Sequence, residues 1–325
     1  MADIPVFTLN DGTKIPSVGM GCWMGSPGGG EKVEIMCKKA IEHGYRHFDT
    51  ASGYGNEQHV GKAIKESGIP RSEFYVTTKL PNTDHHDVQH AFEESFKNLD
   101  CDYIDLYLMH FPQAVIVDAN TKPEDAWLSE PLPPDASPTF VETWQAMEQL
   151  LGTGKLRSIG VSNFSIKLLD QLLPRATVVP VVNQVELHPC LPSNELIAYC
   201  RSKDILPVAY SPLGQTQPVF FTEPTVTAIA QTHAATPAQV VLSWGVQRGT
   251  PVIPKSENED RMKANITLLT LSPEEMARID AIHKKPGMHK ALTTIHVPGS
   301  NKTFGWTYEQ LGWNFIEGGI VPESE

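Results

Sequence analysis

Eight short β-rich runs alternating with amphipathic helical stretches limit what this chain can fold into more than any other feature. The runs are Ser17–Gly21, His47–Thr50, Phe74–Leu80, Tyr103–His110, Arg157–Ser162, Val181–Leu187, Leu206–Ser211 and Thr250–Pro254. Between the first two, Glu31–His43 places Val33, Met36, Cys37, Ala40 and Ile41 on one helical face, and Gly44 supplies a stop. Asp87–Leu99 repeats the pattern with Val88, Ala91, Phe92, Phe96 and Leu99. Thr236-Pro237-Ala238-Gln239 and Ser272-Pro273-Glu274-Glu275 each read as an N-cap, a proline at the first helical position and a polar closing residue. Eight strands with helices between them, in 325 residues, predict an α/β fold of the (β/α)8 or TIM barrel type.

A doubly wound sheet is the rival, and its usual mark is GxGxxG after the first strand. Here the first strand leads into Gly25-Ser26-Pro27-Gly28-Gly29-Gly30, which has the wrong spacing and a proline inside it. Phe7–Ile15 reads as a small hairpin turning at Asn10-Asp11-Gly12, placed to plug the barrel bottom. The whole chain, 1–325, is expected to be one domain with two irregular additions. One is a long, acidic, proline-rich connection at 113–140. The other is a tail from 290 to 325 carrying Phe304, Trp306, Tyr308, Trp313 and Phe315. Those aromatics either pack on the barrel exterior or line a substrate mouth.

The formal net charge of -12 sets 26 basic against 38 acidic side chains. Such a surface repels phosphate backbones and anionic lipid, so neither nucleic acid nor membrane is an expected partner. An anionic ligand then needs a local basic cluster. Five cysteines, odd in number and without CxxC spacing, suit reduced thiols in the cytoplasm, and the amino terminus has no signal-peptide pattern.

In such a barrel the chemistry sits at the C-terminal ends of the strands. Those positions hold Asp49, Lys79, His110, Ser162, Gln184, Tyr210 and Lys255. Buried charges are unfavourable unless paired, so the set implies mutual satisfaction around a cavity. Asp49, Tyr54, Lys79 and His110 make a specific chemical set. A phenol is a poor acid at neutral pH, a neighbouring ammonium lowers its pKa, and a carboxylate holds that ammonium in place. His110 can hydrogen-bond a carbonyl oxygen. Together they suit protonation of an alkoxide formed when hydride reaches a carbonyl carbon. No metal is needed. His43 and His47 are four apart but Gly44 interrupts them, which rejects a metal pair.

The blocks around these residues resemble the aldo-keto reductase family, most closely its aldose reductase, glycerol dehydrogenase and xylose reductase branch. They are His47-Phe48-Asp49-Thr50-Ala51 with Tyr54-Gly55-Asn56-Glu57, Thr77-Thr78-Lys79-Leu80, and Leu108-Met109-His110-Phe111-Pro112. Ile159–Phe164, Asn183–Glu186, Ala209–Gly214 and Ile253–Ser256 follow in the same order. The resemblance implies an NADP(H)-dependent reductase of small carbonyl compounds, reversible as an alcohol dehydrogenase, in a monomer or weak homodimer. It implies Tyr54 as general acid supported by Asp49, Lys79 and His110. Ser162, Asn163 and Gln184 would hold the nicotinamide carboxamide, with Tyr210 stacked on the ring. Ser211 and Leu213 would contact the pyrophosphate. Lys255, Ser256 and Arg261 would grip the 2′-phosphate, with Asn265 near the adenine. Trp23 and Phe111 would join Tyr54 and His110 around the substrate.

The chain departs from the family pattern at several places. Glu257, Glu259 and Asp260 bring negative charge near the expected phosphate site, and Ala264 replaces a frequent glutamate. Pro81 and Phe111 stand where tryptophan is common, which predicts a reshaped pocket. Two other classes compete: a metal-dependent barrel hydrolase, and a nucleotide-binding regulatory protein that has lost turnover.

Overall fold

The computed structural model describes residues 4–117, 129–217 and 219–322. The chain enters through an antiparallel hairpin, β1 (Val6–Thr8) and β2 (Lys14–Pro16), with Gly12 at a positive φ of 85° in the turn. Eight parallel strands follow: β3 (Met20–Gly21), β4 (His47–Asp49), β5 (Tyr75–Leu80), β6 (Ile104–Met109), β7 (Leu156–Ser162), β8 (Val182–Glu186), β9 (Leu206–Tyr210) and β10 (Val252–Ile253). Each pairs with the next in sequence. Val18 then bridges Val252, and Gly21 N–H donates to Pro254 O at 3.0 Å, bringing the last strand back to the first. This is the expected (β/α)8 barrel, and each strand lies within its predicted run except β7, which begins one residue early at Leu156.

The first helices are α1 (Gly30–Glu42), α2 (Glu57–Glu66), α3 (Val88–Leu99), α4 (Phe140–Glu148), α5 (Ile166–Leu172) and α6 (Asn194–Ser202). Then come α7 (Val219–Thr222), α8 (Pro224–Thr232), α9 (Pro237–Gln247), α10 (Glu259–Asn265), α11 (Pro273–Asp280) and α12 (Tyr308–Leu311). Both expected capping boxes form, Thr236 with Gln239 on α9 and Ser272 with Glu275 on α11. Because helices cover the sheet, β4, β5, β6 and β8 are buried along their whole length. Gly61 shows how closely that outer layer packs. A Cβ there would lie 2.0 Å from Leu99 O, so only glycine lets α2 rest on the end of α3.

The hairpin plugs the barrel bottom, as its sequence suggested. Leu9 and Ile15 join Tyr75, Leu106, Leu108 and Val208 in one apolar cluster. Asn10 Nδ2 donates to Pro180 O at 3.2 Å, and Ser158 Oγ donates to Asp11 Oδ2 at 2.5 Å. With the bottom sealed, the open mouth is at the other end of the barrel.

The long connection and the tail hold each other. Residues 118–128 lie outside the described residues. On either side of them, Val115 bridges Pro131 and Leu132 N–H donates to Ala114 O at 2.8 Å. The tail forms a hairpin of β11 (Lys302–Thr303) and β12 (Trp306–Thr307). Trp306 Nε1 donates to Leu132 O at 2.7 Å and Gln113 Nε2 to Thr303 O at 2.9 Å. The tail aromatics part into two groups. Tyr308, Trp313 and Phe315 surround His296 with ring centroids 5.1–5.6 Å away, whereas Phe304 turns to Phe111. Among the described residues no helix is long and apolar enough to cross a membrane.

At the N-terminal end of β6, Asp105 accepts from Arg71 Nη2 at 2.6 Å, Val76 N at 2.9 Å and Arg157 Nη1 at 3.2 Å. Both guanidinium groups also lie over the Tyr103 ring, at 4.1 and 3.7 Å. The Arg71 side chain is 11% exposed and that of Arg157 47%. Asp105→Ala strands a mostly buried cation and should lower stability by about 3–5 kcal/mol. Arg157→Ala, at a solvated position, should lower it by about 1 kcal/mol or less. Urea unfolding of both variants checks this; equal losses would contradict it.

Candidate active site

Strand ends bring the candidate catalytic side chains together. Asp49 ends β4, Lys79 is the penultimate residue of β5, and His110 follows β6. Tyr54 ends a single 3-10 turn, Ser52–Tyr54, that leaves β4, and Gly55 continues at φ 63°. Lys79 is 1% exposed. Its Nζ donates to Asp49 Oδ1 at 2.5 Å and Thr50 O at 2.8 Å, and lies 5.1 Å from the Tyr54 ring centroid. The Tyr54 ring meets His110 at 5.6 Å and Trp23 at 5.0 Å. Phe111 sits 5.3 Å from His110, with Phe304 4.6 Å beyond it. All four members of the expected set share one place, flanked by three aromatic side chains.

Electrostatics gives these groups distinct states. Burial alone would lower the Lys79 pKa, but Asp49 and Tyr54 hold it above the usual lysine range, so it is an ammonium. Burial, with Lys79 adding repulsion, pushes His110 well below the usual histidine range, so its ring is neutral. For Tyr54 the expectation of an unusually acidic phenol needs correction. Part of the residue reaches solvent, yet withdrawal of the phenol from water raises its pKa. The Lys79 charge pulls it back down only in part, and Asp49 pushes it up again. The lysine effect is readable from residue types; the larger desolvation is set by packing. The phenol therefore stays protonated at neutral pH.

The next group forms a closed hydrogen-bond network along the rim from β6 to β9. Asn163, just after β7, adopts a left-handed φ of 65°. Its Nδ2 donates to His110 O at 2.9 Å and Ser162 Oγ at 3.1 Å, and its Oδ1 accepts from Tyr210 Oη at 2.9 Å. Ser162 Oγ donates to Gln184 O at 2.7 Å, and Gln184 Nε2 donates to Asp49 Oδ2 at 2.6 Å. That last bond was not foreseen: the Gln184 amide nitrogen supports the carboxylate that supports Lys79. Ser211, at φ 48°, and Leu213 lie in the turn after β9, where Gly214 N–H donates to Ser211 O at 2.9 Å.

Lys255, Ser256 and Arg261 lie on a separate stretch beyond β10. Lys255 is paired with Glu257. Asn258 N–H donates to Ser256 Oγ at 3.1 Å, and Asn258 caps α10 by accepting from Arg261 N. Arg261 is exposed and Asn265 buried. Glu259 turns away from this stretch to Lys39 at 2.7 Å and His43 at 3.4 Å. Glu257 is thus the nearby carboxylate that faces a cation of the set. Sequence reading also missed Glu186, a buried carboxylate ending β8 that reaches the tail. Its signal was a carboxylate at the mouth end of a barrel strand, the kind of position that Asp49, Lys79 and His110 also occupy. Among the described residues no three His, Cys, Asp or Glu side chains gather as a metal-binding group, and the five cysteines are free thiols.

The model of the aldo/keto reductase family matches residues 18–284, from the first barrel strand to just past α11. The chain belongs to the aldo/keto reductase family. It is 45% identical over 296 residues to a glycerol 2-dehydrogenase (NADP(+)) of Saccharomyces cerevisiae, covering 88% of this chain and 93% of that one. An aldehyde reductase of the same yeast is 40% identical over 293 residues, covering 87% and 92%. An aldo-keto reductase of Bombyx mori, solved in complex with NADP, superposes with a TM-score of 0.77 at 38% identity, covering 86% of this chain and 93% of that one. This oxidoreductase family membership agrees with the barrel and with where its polar strand ends converge.

Two further histidines are buried near these strands. His47 Nε2 faces Thr77 Oγ1 at 3.1 Å, and burial lowers its pKa to about 4. His85 Nδ1 faces Thr143 Oγ1 at 3.2 Å, and burial, helped by His86, lowers it to about 3. In the unfolded chain each binds its proton near pH ~6.5, so the folded state, which refuses it, loses stability as pH falls below that value. The loss continues down to about pH 4 for His47 and about pH 3 for His85. Each histidine contributes about 1.4 kcal/mol per pH unit within its window. Urea unfolding from pH 7 to pH ~4.5 should show that fall, and His85→Gln should remove one histidine's share of the slope. Stability independent of pH across the window would contradict the assignment.

Proposed function

We propose that this protein reduces aldehydes and ketones to alcohols with NADPH, reversibly, and that Tyr54 is the proton donor. The observation that carries the reading is the sealed Lys79–Asp49 ion pair beneath the Tyr54 ring, with a neutral His110 beside it. A buried ion pair is weak evidence of stabilisation, because desolvating both charges offsets much of their attraction. Placed against the Tyr54 phenol at the barrel mouth, it has a chemical use instead.

The residues present fit the nucleotide. Lys255, Arg261 and the Ser256 hydroxyl offer two cations and a hydrogen-bond donor for a phosphate dianion. The turn of Glu259 toward Lys39 and His43 removes one carboxylate from that stretch. Tyr210 is half-buried at the rim and tethered through its hydroxyl to Asn163, which leaves a fixed ring for stacking. Ser162, Asn163 and Gln184 supply amide and hydroxyl groups beside it, Ser211 and Leu213 the turn for the pyrophosphate, and Asn265 a polar group toward the adenine. When bound, the reduced nicotinamide supplies the hydride.

The protein's own groups do the rest. The neutral imidazole of His110 donates a hydrogen bond that fixes the direction of the carbonyl oxygen. Tyr54 Oη gives that oxygen its proton as negative charge gathers there. Lys79 then stabilises the phenolate left behind, and Asp49, braced by Gln184, keeps Lys79 charged and in place. Trp23, Phe111 and Phe304 form an apolar wall that excludes water from the reacting carbon. The yeast relatives named for glycerol and aldehyde chemistry support small carbonyl and polyol substrates. One barrel domain, acting in the cytoplasm as a monomer or weak homodimer, completes the proposal.

Tyr54→Phe should lower carbonyl reduction by about a hundred- to ten-thousand-fold while NADPH still binds. Substantial remaining turnover would reject Tyr54 as the donor. Lys255→Ala and Arg261→Ala each remove a charge-assisted bond to the 2′-phosphate. Each should weaken NADPH by about tenfold or more and leave NADH nearly unchanged. Equilibrium titration with both nucleotides decides this, and equal losses would place the 2′-phosphate elsewhere.

A further inference from the structure

Glu186 is buried at the mouth end of β8, yet none of its bonds serves the catalytic set. Its Oε1 accepts from Leu292 N at 2.5 Å, from Thr293 N at 3.2 Å and from His188 Nε2 at 2.8 Å. Its Oε2 accepts from Thr293 Oγ1 at 2.5 Å, and His296 Nε2 lies 3.7 Å away. A sealed carboxylate with both oxygens committed to a segment 106 residues later is a strong local tether. The tethered segment also grips the turn after β9. Gln217 Nε2 donates to Leu292 O at 3.0 Å, and Thr294 N donates to Gln215 Oε1 at 2.9 Å. Gly214, at φ 79°, is pressed so closely that a Cβ would sit 2.9 Å from Leu292 Cδ1. Leu213 packs on the apolar cluster to which Leu292 belongs.

One chain of contacts therefore runs from the barrel wall through 292–294 to the turn 211–217. We infer that Glu186 is a positioning residue for the cofactor: it anchors the strap 292–294, and the strap holds the 211–217 turn over the nucleotide and slows its release. The inference rests on the reading of Ser211 and Leu213 as pyrophosphate contacts. It joins the tail, whose next residues reach Phe304 at the substrate mouth, to the dwell time of the nucleotide. Glu186 touches neither substrate nor reacting atoms, so its effect falls on nucleotide release and not on the hydride-transfer step.

The test uses the full-length protein, NADPH and stopped-flow displacement, with the carbonyl KM measured alongside. Glu186→Gln keeps the shape but loses the charge-assisted bonds, and should speed NADPH release by about tenfold. Thr293→Val, and the double variant Gln215→Ala/Gln217→Ala, should also speed it while leaving the carbonyl KM within about twofold of wild type. Combining Glu186→Gln with the double variant should add little, because both break one linkage. Should Glu186→Gln fail to fold, the Thr293 and glutamine variants carry the same test. Wild-type release rates in all folded variants, or full additivity between the two ends, would overturn the inference alone. A wild-type protein that does not bind NADPH would overturn the cofactor reading and this inference with it.

Discussion

A lysine sealed inside a barrel can exist only with a partner, and the rest of the active end is arranged around that requirement. Lys79 has Asp49 at 2.5 Å and the Thr50 carbonyl at 2.8 Å; Asp49 has Gln184; and the Gln184 carbonyl accepts from Ser162 and from the Asn163 backbone. Each group satisfies the next, so burial of one charge fixes the orientation of side chains on β4, β5, β7 and β8. Removing any one member leaves another polar group unpaired in a dry place. Such a network specifies a single rim geometry, and Tyr54 is held at its open edge.

The barrel sets where this happens. Parallel strands with returning helices gather all their C-terminal ends at one rim. The N-terminal hairpin stops the other end with Leu9, Ile15 and two side-chain bonds. Only one mouth remains, and the tail folds toward it together with the described ends of the proline-rich connection. Because Trp306 and Gln113 lock these two segments together, Phe304 reaches the mouth as part of a braced hairpin.

Much of this was legible in the residues. Strand runs, capping boxes and the glycine stop after α1 obey local rules, so periodicity and turn chemistry located them. Asp49, Lys79 and His110 stood out because charged or titratable residues rarely end buried strands without a reason. What stayed hidden depends on distance in space. Nothing near Gln184 in the chain announces its bond to Asp49, 135 residues away. Nor does the tail show which of its aromatics turns toward Phe111, or that Glu186 waits for Leu292 and Thr293. The direction of the Tyr54 shift is hidden for the same reason: the neighbouring ammonium is visible in the sequence, whereas the depth of desolvation belongs to packing.

The central claim is that the buried ammonium governs the phenol that delivers the proton. The pH dependence of kcat/KM for carbonyl reduction, in wild type and in Lys79→Met, tests it most directly. A flat rate through neutral pH is expected, with a fall only on the alkaline side as Tyr54 ionises. Losing the ammonium should slow the reaction and move that fall to higher pH. A Lys79→Met protein with the wild-type rate and an unmoved alkaline limb would contradict the account.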